Sequence, residues 1–168
     1  QAETETSTTT YDKSFIASIV NDVTSTDPEK EYHGLISLKK LINEQIPIPI
    51  QTIIDSGAIP SLIRLTKAPS ELKARIEATW CLAMLCSVGT QEEIQAIVDY
   101  GVLSGFDCAL KSQNDELEEQ SLYGIAGIAL EGGIALRDMI LHYPEVPIVE
   151  VVVEILNQTK NEKVKING

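Results

Sequence analysis

The sequence is poor in aromatic residues, which make up 5% of the chain and include a single tryptophan. Its apolar residues, 43% in all, are mainly Ile, Leu, Val and Ala, and they are spread along the chain. This balance favours helices packed on helices over a β-sandwich. The apolar runs are short and interrupted by Pro, Gly or charge, so none of them predicts a membrane span.

Positive charge is also scarce, with 13 Lys and Arg against 25 Asp and Glu. The formal net charge is −12, and the isoelectric point calculated from the sequence is about 4.5. A chain this acidic repels phosphate backbones and anionic lipid, so we predict neither a nucleic-acid nor a membrane partner. A basic partner fits the charge better. The alternative is that the charge only maintains solubility.

Cysteine and histidine are few, and their spacing predicts no metal site and no cofactor. Cys81, Cys86 and Cys108 lie in apolar helical stretches, and their odd number argues against a disulfide framework. That pattern favours a reducing compartment and a role as small buried hydrophobes. His33 and His142 are far apart in the sequence, so no Cys/His cluster has metal-ligand spacing.

The first residues are polar and Thr-rich, and they contain no apolar stretch typical of a signal peptide. We therefore predict that residues 1–12 are a linker or leader and that residues 13–168 carry the folded repeats. Because the chain starts with Gln and its final repeat looks incomplete, we expect it to be part of a longer protein.

Two short sequence motifs, called phrases below, recur along the chain with nearly the same period. The phrase at residues 53–60 returns at 97–104 and, more weakly, at 140–147, with steps of 44 and 43 residues. The residues around Trp80 return around Tyr123, again 43 residues later. A period of this length is typical of helical repeat solenoids, whose units bury their apolar faces only by stacking on their neighbours.

Each period predicts three helices, bounded by residues that commonly start or stop helices. Gly57 and Gly101 each end a short helix, Pro60 suits the first turn of the next, and Asn114 suits the start of a long third helix. The predicted helices include residues 14–24, 28–43, 71–88, 90–100, 102–111, 115–130 and 147–157, with a further one starting at 161.

The third helices of successive repeats should line a concave groove. In the helix at 71–88, helical spacing predicts a core face of Leu72, Ile76, Thr79, Leu82, Ala83 and Cys86. A separate stripe carries Lys73, Glu77, Trp80 and Met84. The matching stripe in the next repeat carries Glu116, Gln120, Tyr123 and Gly127, with Glu131 one turn further on.

Aromatic and acidic side chains alternate along this surface, which suits an extended peptide bearing Lys or Arg. The aliphatic stems can lie between aromatic rings while the charged heads meet carboxylates or the ring faces. The alternative is that Trp80 and Tyr123 are ordinary interhelical core residues.

These phrases resemble the armadillo domain of importin-α, the adaptor family that carries proteins with basic nuclear localisation signals into the nucleus. The resemblance implies an all-α, right-handed superhelical solenoid of about three to four armadillo repeats, with three helices per repeat of about 43 residues and an incomplete last repeat. It extends over residues 14–156 and includes the phrases at 56–60, 77–80, 87–90, 119–123 and 136–141.

In that family, a Trp and an Asn one turn later recur on the third helices; the Trp rings form slots for lysines, and the Asn amides clamp the peptide backbone. Here Trp80 matches the Trp, but Met84 stands at the Asn position. In the next repeat, Tyr123 and Gly127 replace the pair, and Glu131 lies where the family has an acidic groove residue. Each clamp makes two hydrogen bonds, so at about 1 kcal/mol per hydrogen bond two missing clamps cost on the order of a hundredfold or more in affinity.

The resemblance implies a nuclear import adaptor of the cytoplasm and nucleus that binds the basic nuclear-localisation-signal peptides of cargo proteins. Importin-β would bind through a segment that is not present in this chain. The alternative is an armadillo scaffold for protein–protein interaction with no nuclear import role. The predicted peptide-binding groove consists of Glu77, Trp80, Met84, Gln120, Tyr123, Gly127 and Glu131.

An enzyme is not predicted, because no paired carboxylates and no nucleophile–base set stand out. A cluster of four glycines is one feature of a phosphate loop, but no Gly-Lys-Ser/Thr follows it. We interpret these glycines as sites of close helix packing; they are Gly124, Gly127, Gly132 and Gly133.

Overall fold

A computed structural model describes residues 13–67 and 69–142, and this part of the chain consists of α-helices and their connections. The predictions for the leader at 1–12 and for the helices after residue 142 lie outside the described residues. The helices are α1 (Lys13–Val23), α2 (Pro28–Glu44), α3 (Ile50–Asp55), α4 (Ala58–Leu65), α5 (Leu72–Val88), α6 (Gln91–Asp99), α7 (Val102–Leu110), α8 (Asp115–Glu131) and α9 (Gly133–Leu141).

Helices α3 to α5 and α6 to α8 form two consecutive units with the same plan of two short helices and one long helix. The predicted three-helix repeat is therefore confirmed. The long helices α2, α5 and α8 lie side by side, because α5 contacts both of the others. They form the layer that carries the predicted groove. Within the described residues, no helix combines the length and apolar character needed to cross a bilayer.

Local capping explains where several helices begin. Asp27 accepts a hydrogen bond from the Glu29 N–H at 3.0 Å, with Pro28 as the first residue of α2. Thr90 and Glu93 form a reciprocal capping box at the start of α6. Asn114 accepts a hydrogen bond from the N–H of the third residue of α8 at 3.1 Å. The caps at Asp27 and Asn114 agree with the starts predicted from the sequence.

Gly57 and Gly101 join the first helix of each unit to the second, and both have left-handed backbone, with φ of 81° and 90°. A Cβ added at either position would meet no atom within 4 Å, so a side chain there is opposed only by backbone strain. These two glycines therefore act as equivalent corners of the repeat.

Gly101→Ala is expected to lower the free energy of unfolding by roughly 1–2 kcal/mol, the cost of holding an L-residue in left-handed backbone. The measurement is urea denaturation followed by circular dichroism. Gly101→Asn serves as the control, because Asn tolerates this backbone better and should cost less. Equal stability of the alanine variant and the unchanged protein would contradict the left-handed corner.

The core is continuous from α1 to α9 and includes the fully buried Phe106. The predicted core face of α5 is only partly right: Thr79, Leu82, Ala83 and Cys86 are buried, but Leu72 is 49% exposed and Ile76 is only half-buried. Ala74, Ala78, Cys81 and Leu85 are buried as well.

Helix α5 packs against several other helices, among them α2, α4 and α8, so its buried residues do not form a single apolar stripe. In α1, the buried stripe is Ile16, Ile19, Val20 and Val23. Phe15 precedes this stripe and is 44% exposed.

The three cysteines differ in environment. Cys81 and Cys86 are buried, whereas Cys108 on α7 is exposed, so the prediction of a buried role is wrong for Cys108. Helix α7 directs Val102, Phe106 and Ala109 inward and turns Cys108 away from them. Burial raises the pKa of the Cys86 thiol to about 12. Burial, and then the Glu77 carboxylate, also raise the pKa of Cys81, so both remain thiols at neutral pH.

Two glycines allow α8 to approach its neighbours closely. A Cβ on Gly124 would overlap the Phe106 ring and lie 3.1 Å from the Cα of Ala83. A Cβ on Gly127 would lie 2.7 Å from the Cα of Ser87 and 2.8 Å from a carbonyl oxygen of α5. The interpretation of these glycines as packing contacts is therefore confirmed for Gly124 and Gly127.

Candidate peptide-binding groove

A cleft of about 380 Å³ lies between α5 and α8 on the layer of long helices. It contains four of the seven residues predicted for the groove: Trp80, Met84, Gln120 and Tyr123. Three further residues complete its lining, namely Ala83, Glu116 and Glu119. Glu119 lies off the predicted stripe, and sequence reasoning missed it because it joins the site only through the packing of α8 against α5.

The cleft has an apolar wall on α5 and an aromatic rim on α8. Trp80 and Met84 are half-buried and pack against the core, so their positions are fixed by the repeat itself. Tyr123 is 53% exposed, which leaves most of its ring available for contact. The arrangement combines a rigid apolar surface with an exposed ring, and such a surface can hold the aliphatic stem of a long side chain.

The polar side of the cleft is acidic and holds an unused hydrogen-bond acceptor. The Gln120 Nε2 group donates to Glu116 Oε1 at 3.4 Å. The Gln120 Oε1 atom is buried and has no hydrogen-bond partner in the described part of the chain. A buried acceptor without a donor is unfavourable, so this oxygen favours a ligand that brings an N–H group.

Helix α8 has no Lys or Arg along its whole length, and its first turn contains three acidic residues. Burial, and then the Asp115 carboxylate, raise the pKa of Glu118 on this turn. Glu116 and Glu119, at the cleft, are exposed. The cleft is therefore negatively charged and favours a cation.

Glu77 faces α2 and already has a partner. The Lys39 Nζ atom lies 2.8 Å from Glu77 Oε2 and 5.1 Å from the centroid of the Trp80 ring. The structure therefore places this predicted groove residue beside the cleft, in an ion pair. The contact of Lys39 could not be predicted from the sequence, because it depends on how α2 and α5 are aligned along their lengths.

The remaining two predicted residues do not line the cleft. Gly127 is buried in the contact between α5 and α8, facing Ser87 and Cys86. Glu131 is exposed at the last position of α8, beyond the cleft. The structure thus brings Trp80, Met84, Gln120 and Tyr123 together and leaves these two apart.

A second cleft, of about 600 Å³, lies beside α2 and α4 and has a different character. It contains no aromatic side chain, and its charged residues have internal partners: Arg64 pairs with Glu31, and Lys67 Nζ donates to Ser104 at 3.0 Å. The cleft between α5 and α8 is therefore the better candidate for ligand binding. Among residues 13–67 and 69–142, no group of His, Cys, Asp or Glu forms a candidate metal site.

Comparison with known proteins agrees with this architecture. Residues 47–87 match the family described as Armadillo/beta-catenin-like repeat, a range that contains α3, α4 and all but the last residue of α5. A computationally designed armadillo repeat protein for modular peptide recognition aligns with 81% of this chain and 56% of its own, at a TM-score of 0.68 and 22% identity. The described part of the chain is an all-α armadillo-repeat solenoid, as predicted.

Importin-α subunits are among the curated proteins that this chain resembles. Importin subunit alpha-2 of Arabidopsis thaliana is 25% identical over 75% of this chain and 23% of its own length. Importin subunit alpha-8 of Mus musculus is 32% identical over 51% of this chain and 17% of its own length. The predicted resemblance to a divergent importin-α armadillo domain is confirmed. The chain spans a quarter or less of the length of these relatives.

Proposed function

We propose that this chain binds a basic peptide in the cleft between α5 and α8, as the cargo-recognition part of a nuclear import adaptor. The observation that carries the proposal is the unpartnered Gln120 Oε1 atom in an acidic cleft with Trp80 on one wall and Tyr123 on its rim. The role is binding rather than catalysis.

A peptide with a Lys or Arg side chain can contact the apolar wall, the carboxylates and the free amide oxygen of this cleft. Its aliphatic stem covers the apolar surface of Trp80 and Met84, and its charged head lies near the Glu116 and Glu119 carboxylates. An N–H group of the peptide donates to the Gln120 amide oxygen. A neutral or acidic peptide satisfies the apolar wall alone and leaves the carboxylates without a counter-charge.

Two kinds of relative support the proposal. A designed armadillo repeat protein in complex with the peptide (KR)4 is 25% identical to this chain, with a TM-score of 0.61 over 69% of this chain and 47% of its own. That protein holds a peptide of alternating Lys and Arg. The similarity to importin-α subunits connects such binding to cargo with basic nuclear localisation signals and to a protein of the cytoplasm and nucleus.

Tyr123→Ala is expected to weaken binding of a fluorescent (KR)4 peptide by about tenfold, the loss of one partly desolvated cation–ring contact. The measurement is fluorescence anisotropy at low salt. Tyr100→Ala is a matched control, because Tyr100 is 48% exposed against 53% for Tyr123 and follows the last residue of α6, outside the cleft. This control should leave the dissociation constant unchanged.

The proposal predicts that a peptide with every Lys and Arg replaced by Ala does not bind, and that added salt weakens the binding of (KR)4. Absence of binding by the folded, monodisperse protein would remove basic-peptide recognition from this cleft. Equal losses in the Tyr123 and Tyr100 variants would place the peptide elsewhere on the surface.

The second candidate function is an armadillo scaffold for other protein partners, with no role in import. It is favoured by Gly127, because its contact with α5 leaves no space for the amide clamp that the resemblance implies at this position. Peptides of equal length but different charge separate the two functions. A scaffold of this second kind binds neutral sequences as well as basic ones, whereas an adaptor prefers Lys and Arg strongly.

A further inference from the structure

The ammonium group of Lys39 has the surroundings that a bound peptide lysine requires. Its Nζ atom lies 2.8 Å from Glu77 Oε2 and 5.1 Å from the centre of the Trp80 ring. The Glu77 side chain is only 14% exposed, so its carboxylate depends on a nearby cation for compensation. Trp80 and Glu77 together therefore form a cation subsite whose occupant belongs to the chain itself.

A second contact of the same kind joins the same two helices in the opposite direction. The Lys73 Nζ atom of α5 lies 4.7 Å from the centre of the Tyr32 ring of α2 and 3.2 Å from Glu71 Oε2. At the step between α2 and α5, each helix thus places a lysine over an aromatic ring of the other.

The next step of the groove, between α5 and α8, lacks this arrangement. Helix α8 offers Tyr123 and two carboxylates to the cleft but contains no Lys or Arg. Lys111, which lies just before α8, is paired with Asp107 at 2.8 Å. Between α2 and α5, the cation subsite is thus occupied by a lysine of the chain itself. Between α5 and α8, one repeat later, the described lining of the acidic cleft contains no such lysine.

We propose that Lys39 is a specificity-determining residue that closes the Trp80–Glu77 subsite to peptide side chains. A basic peptide then engages the chain only from the α5–α8 step onward, which fixes its register. This inference rests on the proposed function, since it concerns which part of the groove the same peptide can reach. The ligand class of the closed subsite is a primary ammonium or guanidinium group.

The first test follows the only tryptophan of the chain by its fluorescence. Lys39→Ala should raise the quenching of Trp80 by caesium ions about threefold, because the vacated site beside Glu77 then attracts a cation. Lys40→Ala is the matched control: it removes the same charge from the next residue of α2, and its side chain is 68% exposed. Quenching by neutral acrylamide corrects for any general change in exposure.

A second variant covers the case in which Lys39→Ala fails to fold because Glu77 loses its partner. Lys39→Gln keeps a hydrogen-bond donor for the carboxylate but lacks the positive charge. Caesium quenching in this variant should rise in the same direction by a smaller factor. If quenching is the same in the folded Lys39 variants, the Lys40 variant and the unchanged protein, the inference is overturned.

The second test compares peptides of two lengths by anisotropy. An extended (KR)4 peptide reaches about 26 Å and spans two or more helix spacings of about 10 Å, whereas (KR)2 covers about one. Lys39→Ala should bind (KR)4 about tenfold more tightly than the unchanged protein does, with little change for (KR)2. The Lys40→Ala variant corrects for the change in net charge.

The outcomes separate this inference from the proposed function. Binding by the unchanged protein with no gain in Lys39→Ala overturns the inference and leaves the proposed function standing. Absence of binding by either protein overturns the proposed function. Caesium quenching then decides the inference alone: a rise in Lys39→Ala supports a closed cation subsite, and no rise overturns it.

Discussion

Gly127→Asn is expected to lower the free energy of unfolding by about 3 kcal/mol, although it restores the residue type that the importin-α resemblance implies at this position. A Cβ at residue 127 would lie 2.7 Å from the Cα of Ser87 and 2.8 Å from the carbonyl oxygen of Cys86. Both are backbone atoms of α5, and they cannot move away by side-chain rotation. The side chain at residue 127 therefore forces α5 and α8 apart. The better helix propensity of Asn offsets only about 0.3 kcal/mol of this cost.

Met84→Asn is the matched control for this prediction, because it introduces the same side chain at the equivalent position one repeat earlier. Met84 is half-buried and lines the cleft, so the new amide can point into open space. We expect it to cost about 1 kcal/mol of partly buried apolar contact. Urea denaturation of both variants gives the comparison. A Gly127 variant as stable as the Met84 variant would contradict the close helix contact.

Combined replacement of Glu116→Lys and Glu119→Lys is expected to weaken (KR)4 binding at least about a hundredfold at low salt. Each unit charge within about 4 Å of a peptide cation contributes about 1 kcal/mol even at the dielectric constant of water. Replacing Glu by Lys removes one such attraction and adds a repulsion of the same size, so each replacement counts twice. Both carboxylates are exposed, so screening reduces the sum. A loss of about 3 kcal/mol remains, which corresponds to the stated factor.

The control for this prediction is Glu92→Lys combined with Asp138→Lys, which changes the net charge by the same amount. Glu92 on α6 and Asp138 on α9 are exposed and lie outside the cleft lining. This variant should weaken binding by less than about threefold, through long-range charge alone. Equal losses in the two double variants would show that net charge, rather than the cleft, governs binding. Raising the salt concentration should narrow the difference between the first variant and the unchanged protein.

The repeat and its helix boundaries could be predicted closely from the sequence, because the signals that set them are local. Asn114 caps a helix through a hydrogen bond three residues away, and Gly101 ends one by its own backbone conformation. Such signals act within one turn, so a single sequence contains them in full. Recurrence of the same signals after about one repeat then predicts the solenoid.

The details of the groove could not be predicted in this way, because they depend on contacts between helices of different repeats. Leu72 matches an apolar stripe by spacing, yet it is exposed at the start of α5. Gly127 matches the groove stripe by spacing, yet it is buried against α5. No sequence pattern predicts a role for Lys39, because its partners Glu77 and Trp80 lie on another helix, about one repeat later. Helical periodicity describes one helix at a time and carries no information about its neighbours.

Helix α5 belongs to two neighbour contacts at once, with α2 on one side and α8 on the other. In a stack that is coupled only between adjacent units, a helix with neighbours on two sides opens less readily than a helix with one neighbour. The wall that carries Trp80 is therefore held in place from both sides. The peptide of the proposed function therefore meets a surface whose backbone entropy was already lost when the chain folded.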